Sequence, residues 1–245
     1  MLRRVLLLLA ICSALPAPAL LAQGNAAPTI VHSNHFLDPA VIDLAKVLPA
    51  PPEPGSLAAQ ADLEAVRMAQ SFRTPELVAW ALKIDADDPF GAADVLGDWF
   101  RADNLPLCTQ FLKAVDQDMR GVTSRAKSLY KRPRPFQVDP AIEPCVPRPT
   151  SFSYPSGHST HAFNRALVLG EVFPERAAAL LNWAHRAAWG RIQGGVHYPS
   201  DDVGGRLLAE AVVVEMKRSP AFRAAVEACR KEAEPFLKTG ANPRS

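Results

Sequence analysis

Apolar residues recur at three- and four-residue steps through most of this chain, the spacing that lines one face of an α-helix. The clearest run covers 105–130, where Leu107, Phe111, Val115, Met119, Val122, Ala126 and Leu129 form a single stripe predicted to be buried. Ser56 caps a predicted helix reaching about Phe72, and Thr74-Pro75 marks another start, because threonine accepts from free N–H groups and proline fits the first helical turn. Further helices are predicted near 157–172, 175–189, 201–217 and 220–234, with Pro174, Ser200 and Ser219-Pro220 as start signals. Between Pro133 and Pro155 prolines break every such pattern. No run alternates with period two and no internal repeat is visible, so the pattern predicts an all-α fold with one domain at 56–238.

The ends read differently. Met1 to Arg4 carry two arginines, Val5 to Leu15 is apolar, and a Pro- and Ala-rich stretch runs to Ala22, the order of a cleaved secretory signal peptide at 1–22. Its apolar part falls short of the ~20 residues that span a bilayer. A periplasmic or secreted protein is therefore expected. Residues 23–55 are rich in proline and lack periodicity, which predicts an irregular arm, and 239–245 read as a flexible tail. Losing Arg3 and Arg4 takes the formal charge from +2 to 0, which removes an electrostatic case for nucleic acid. The most apolar later stretch, Leu207 to Met216, carries Glu210 and Glu215 and is too short to cross a membrane. Cys12 leaves with the leader. Cys108, Cys145 and Cys229 fit no metal spacing, and Cys108–Cys145 is the first candidate pair for a disulfide in an oxidising compartment.

Three segments carry unusual polar residues at helix ends and in loops. In Pro155-Ser156-Gly157-His158, proline halts the incoming chain just before a helical run, so unpaired N–H groups face outward and can hold an anion. Gly157 lets an oxygen approach the main chain, Ser156 adds a hydroxyl, and His158 can act as general acid. Lys127 and Arg134 bracket the end of the 105–130 helix, a mobile point charge and a bidentate fork suited to phosphate oxygens. Arg125, Lys131 and Arg132 read as a solvated basic helix end. In the third segment Asp201 lies four residues after His197 and can fix its tautomer, presenting the other ring nitrogen as a nucleophile, while Arg191 adds a third cation. Asp202 reads as ordinary charge complementarity at a helix start and Arg206 as a surface residue.

Together these segments spell Lys-x6-Arg-Pro, Pro-Ser-Gly-His and Arg-x5-His-x3-Asp, and the chain resembles the type 2 phosphatidic acid phosphatase and vanadium haloperoxidase superfamily. Within it the likeness, from about Asp88 to Val214, is to the exported class A bacterial nonspecific acid phosphatases. That resemblance implies a helical bundle of the acid phosphatase type and hydrolysis of a small phosphate monoester. It implies a phosphohistidine on His197 with Asp201 behind it, His158 as acid and then base, and Lys127, Arg134, Ser156, Gly157 and Arg191 binding phosphate. It implies no metal and no cofactor, and leaves a homo-oligomer open. Gly190 departs from the pattern, standing where relatives carry serine. His161 reads as structural, and His158 with His161 lacks a third metal ligand. A vanadium-dependent haloperoxidase and a non-catalytic periplasmic phosphate-binding protein are the alternatives; the second gives no reason for two histidines with a carboxylate behind one of them.

Overall fold

The computed structural model describes residues 36–238, so the signal peptide expected at 1–22, the first part of the arm and the tail at 239–245 lie outside the described residues. Helices dominate: α1 (Leu44–Val47), α2 (Leu57–Ser71), α3 (Pro75–Asp85), α4 (Ala93–Leu96), α5 (Pro106–Tyr130), α6 (Pro135–Val138), α7 (Gly157–Val172), α8 (Ala177–Gln193), α9 (Pro199–Met216) and α10 (Pro220–Lys238). Among the described residues there is no strand. The arm is not wholly irregular, since Pro39–Val41 forms a 3₁₀ turn and α1 adds one helical turn.

The predicted caps form. Ser56 Oγ accepts from the Ala59 amide, and Thr74 Oγ1 from Leu77 ahead of Pro75. The long α5 lacks a side-chain cap at Leu105; its free Leu107 and Cys108 amides bond instead to the Glu232 carboxylate of α10, each at 2.9 Å. Its stripe is buried from Phe111 to Ala126, whereas Leu129 is 57% exposed while its neighbour Tyr130 packs against Tyr154. The α8 helix runs one turn beyond expectation and carries Arg191 on its last turn. Gly190, a poor helix former, is tolerated there because Trp80 fills the space: a Cβ at Gly190 would meet the indole Nε1 at 3.1 Å.

Central α7 packs against α8, α9, α5 and α10. Buried on nearly every side, it nevertheless holds Ser159, Thr160, His161, Asn164 and Arg165 out of solvent. Such a helix cannot be explained by apolar packing; Ser159, Thr160, His161 and Arg165 find partners within the protein, whereas the Asn164 amide has none among the described residues. Gly204 and Gly205 let α9 press onto the start of α7: a Cβ at Gly205 would meet Ser156 O, Ser159 Cβ and Thr160 N at 3.0 Å, and one at Gly204 would meet the Tyr154 ring at 2.7 Å. This contact sets the start of α9 against the start of α7.

The candidate disulfide Cys108–Cys145 is corrected by the fold. All three described cysteines are free thiols. Cys108 meets Cys229 across the α5–α10 interface through a side-chain hydrogen bond. Cys145 lies elsewhere, its Sγ donating to Gln193 O at 3.8 Å.

Candidate active site

The three sequence segments converge where the ends of α5, α7, α8 and α9 meet. His197 ends the loop after α8 and is 1% exposed. Its Nδ1 lies 3.1 Å from Asp201 Oδ2, one helical turn on. The same carboxylate oxygen accepts from Ser153 Oγ at 2.5 Å and from the Tyr198 amide at 3.0 Å, so Asp201 is locked before it orients the ring. Nδ1 thus carries the proton and Nε2 presents a lone pair, 3.1 Å from Arg134 Nη1. Burial first, then the charges of Arg134, Lys127 and Arg191, hold His197 well below the usual histidine range. It is a neutral imidazole in a cationic pocket.

Arg134 is fixed by Val196 O at 2.7 Å from Nη1 and by Ser151 O at 2.7 Å from Nε. Lys127 Nζ donates to Phe152 O at 2.6 Å and Ser153 O at 3.1 Å, and its stem passes Gly157, where a Cβ would lie 3.8 Å from Lys127 Cε. Burial and the nearby Arg134 and Arg191 charges lower Lys127 to about 7, and burial lowers Arg134 to about 10. Ser156 caps α7, leaving the first-turn amides of Gly157 and His158 without helical partners. His158 Nε2 lies 3.2 Å from Asp85 O, and burial together with the Arg191 charge lowers it to about 4.

Among the described residues Arg191 has an ion pair but no hydrogen bond. It is 0% exposed, and Nε, Nη1 and Nη2 are all buried with no hydrogen-bond partner. Nη1 comes within 2.8 Å of Asp85 Oδ1, an ion-pair distance without hydrogen-bond alignment. A buried guanidinium with unused donors is costly unless an anion is to be received there.

Two residues are not what their sequence suggested. Arg132, read as part of a solvated helix end, is 8% exposed and bridges Asp62 Oδ2 and Asp201 Oδ1, each at 2.7 Å, with Ser200 Oγ also at 2.7 Å. Its guanidinium lies 3.9 Å over the Tyr198 ring. The left-handed Lys131 closes α5 and turns the chain inward, so Arg132 cannot point to solvent. Asp202, read as helix-start charge complementarity, is also 8% exposed and packs against Ser159 of α7. Asp62, Ser153 and Asp85 were missed, because an isolated acidic or hydroxyl residue far away in sequence carries no local signal. His161 is indeed tied into structure: Nδ1 meets Asp87 Oδ2 at 2.9 Å, and Asp87 Oδ1 accepts from Arg165, which also pairs with Asp116. His158 and His161 therefore serve different partners. Among the described residues no group of three or more His, Cys, Asp or Glu could hold a metal ion, and no helix is long and apolar enough to cross a membrane.

A helical bundle with buried cations gathered around a histidine at its helix ends has known counterparts. Residues 113–224 match the family model described as the PAP2 superfamily, and the chain carries a domain of that superfamily. It is homologous to bacterial non-specific acid phosphatases: 27% identical over 225 residues to the non-specific acid phosphatase of Providencia stuartii, covering 87% of this chain and 90% of that one. It is 32% identical over 168 residues to the acid phosphatase of Zymomonas mobilis, covering 63% of this chain and 62% of that one. The fold is shared with a bacterial vanadium-dependent iodoperoxidase of known structure, with a TM-score of 0.56 at 18% identity over 73% of this chain and 54% of that one.

Proposed function

We propose that this protein is an exported acid phosphatase, periplasmic or secreted, which hydrolyses phosphate monoesters through a phosphohistidine on His197 without a metal. The observation that carries the reading is Arg191, a fully buried guanidinium with no hydrogen-bond partner, set in the same cationic cluster as a neutral, Asp201-backed imidazole. An anion would satisfy the first and be attacked by the second. The acid phosphatase names of the homologues and the apolar leader support the same conclusion.

The chemistry follows from the geometry. A phosphate monoester entering the hollow takes donors from Arg191, Lys127 and the amides at the start of α7, and draws Arg134 Nη1 off His197 Nε2. The freed Nε2 lone pair forms the P–N bond as the ester P–O bond breaks, and the charge arising on the imidazole is met by Asp201. His158 gives its proton to the departing alkoxide. In the empty site His158 is lowered to about 4, by burial and then by Arg191. A phosphoryl dianion counters the Arg191 charge and raises it into a range where it can be protonated, which places activity on the acid side. Water then attacks phosphorus while His158 takes its proton, and cleavage of the P–N bond restores His197.

The test is hydrolysis of p-nitrophenyl phosphate with excess chelator, with and without vanadate, by the wild type and His197→Ala. Chelator-resistant, vanadate-inhibited turnover is expected, with acid-labile label trapped on the wild type and none on the variant. Near-normal turnover by His197→Ala would refute the mechanism. Peroxide-dependent halogenation on adding vanadate would favour the haloperoxidase instead.

A further inference from the structure

The start of α7 contains a hydroxyl chain that the mechanism above leaves unused. Ser156 Oγ accepts from the Ser159 amide at 3.3 Å and lies 2.7 Å from Ser159 Oγ, which in turn lies 2.5 Å from Asp202 Oδ1. Ser156 and Ser159 are 0% exposed. Asp202 Oδ2 is buried with no hydrogen-bond partner. The close approach of Gly205 to Ser159 brings Asp202 within reach.

Counting protons decides what the chain can do. Its two oxygen–oxygen contacts need one proton each, and each serine has only one. If Asp202 were ionised, Ser159 would donate to it and Ser156 would have to donate to Ser159, leaving nothing for a substrate. If Asp202 is a neutral acid, its own proton goes to Ser159 and the Ser159 proton goes to Ser156. The Ser156 oxygen then accepts twice and its hydrogen is free to point into the hollow. We propose that Asp202, as a neutral carboxylic acid, and Ser159 are positioning residues that turn the Ser156 hydroxyl toward a phosphoryl oxygen. This rests on the phosphatase reading.

The surroundings agree. Asp202 faces Arg191 from α8, Asp201 from its own helix, and His185 and Arg206 across an adjoining surface hollow. Burial first, with the Asp201 charge added, holds it well above the usual carboxylate range against the pull of Ser159, Ser156 and Arg191. The orphaned Oδ2 is tolerable on an uncharged acid and costly on a carboxylate.

The experiment reads inhibition by inorganic phosphate in the intact protein, after p-nitrophenyl phosphate hydrolysis by the wild type has been confirmed. Ser159→Ala should weaken phosphate binding about tenfold, the order of one hydrogen bond to a charged group. In a Ser156→Ala background the same change should have almost no effect, because Ser159 acts only through Ser156. Equal effects in both backgrounds would mean a purely structural role and overturn the proposal. Asp202→Asn supplies an independent reading. The infrared carbonyl band of a protonated carboxyl group should be present in the wild type at neutral pH and missing from the variant, and no such band in the wild type also overturns the proposal. An inactive wild type sinks the phosphatase reading itself, whereas an active one with additive mutations sinks only the relay.

Discussion

Replacing Arg132 tests whether the carboxylate behind His197 is held from the far side. The side chain makes three contacts of 2.7 Å, to Asp62, Asp201 and Ser200. In Arg132→Met the Asp62 carboxylate keeps Ser200 N and Oγ, while Asp201 Oδ2 keeps Ser153, Tyr198 N and His197. Asp201 Oδ1 loses the guanidinium inside a residue that is 0% exposed. Breaking a buried pair from one side costs about 3–5 kcal/mol. The surviving contacts of Asp62 place this case at the lower end, about 3 kcal/mol, or a fall in Tm of about 6–12 °C for a domain of this size. Because Asp201 also aims His197, kcat should drop on the order of tenfold to a hundredfold. Arg132→Lys keeps the charge but cannot span both carboxylates and should fall between the two. Adding Asp62→Asn to Arg132→Met should return part of the stability and none of the kcat. Urea unfolding with parallel kinetics measures both. A variant within about 1 kcal/mol of wild type and with unchanged kcat would show that Arg132 is the surface residue its sequence suggests.

Arg191→Met should weaken phosphate binding on the order of a hundredfold, since it removes a buried guanidinium whose donors make no hydrogen bond, and should change the stability of the free protein little, because the relief of a buried charge is offset by loss of the Asp85 pair. Thermal melts with and without phosphate check it, and phosphate should raise the Tm of the wild type alone. Lys127, lowered to about 7, should give phosphate affinity that declines as pH rises through about 7. Lys127→Arg should carry that limb to higher pH. Stability of the free wild type moves the opposite way: between about 7 and the ordinary lysine value of 10.5 the unfolded chain holds a proton that folded Lys127 has lost, so stability rises with pH across that window.

The helices and the residues that cluster around His197 were legible because each has a local signature. Apolar periodicity marks α5, capping residues mark the starts of α2, α3 and α7, and the three short motifs bring their own spacing. Residues that matter only through distant partners have no such signature. Arg132 sits beside Lys131 in a basic run, and nothing nearby announces that Asp62, 70 residues earlier, waits for it. Asp202 follows Asp201 in the first turn of α9, where an acidic residue is ordinary; only Gly205 against α7 turns it from a surface charge into a buried acid. The α8 helix runs past the expected 189 to Gln193, with Gly190 packed inside it against Trp80, a contact that no local pattern announces.

These missed residues share one physical cause. Lys127, Arg134 and Arg191 are held together out of water, and each is lowered by burial, with neighbouring cations lowering Lys127 and Arg134 further. Such a cluster repels itself and needs negative charge nearby, yet a carboxylate seated directly among the cations would compete with the phosphate proposed to bind there. The protein answers by setting its acids one layer back. Asp201 reaches the cluster through His197, Asp62 is separated from it by Arg132, and Asp85 touches Arg191 without hydrogen-bond alignment. Asp202, tied to Ser156 through Ser159, is the acid that burial pushes well above the usual carboxylate range. The balance leaves the cluster positive enough to attract an anion and keeps the Arg191 donors unused. On that account, a second carboxylate behind His197, as in Ser153→Asp beside Asp201, should raise His197 toward its ordinary range and weaken phosphate inhibition, whereas the neutral Ser153→Asn should leave phosphate inhibition detectable.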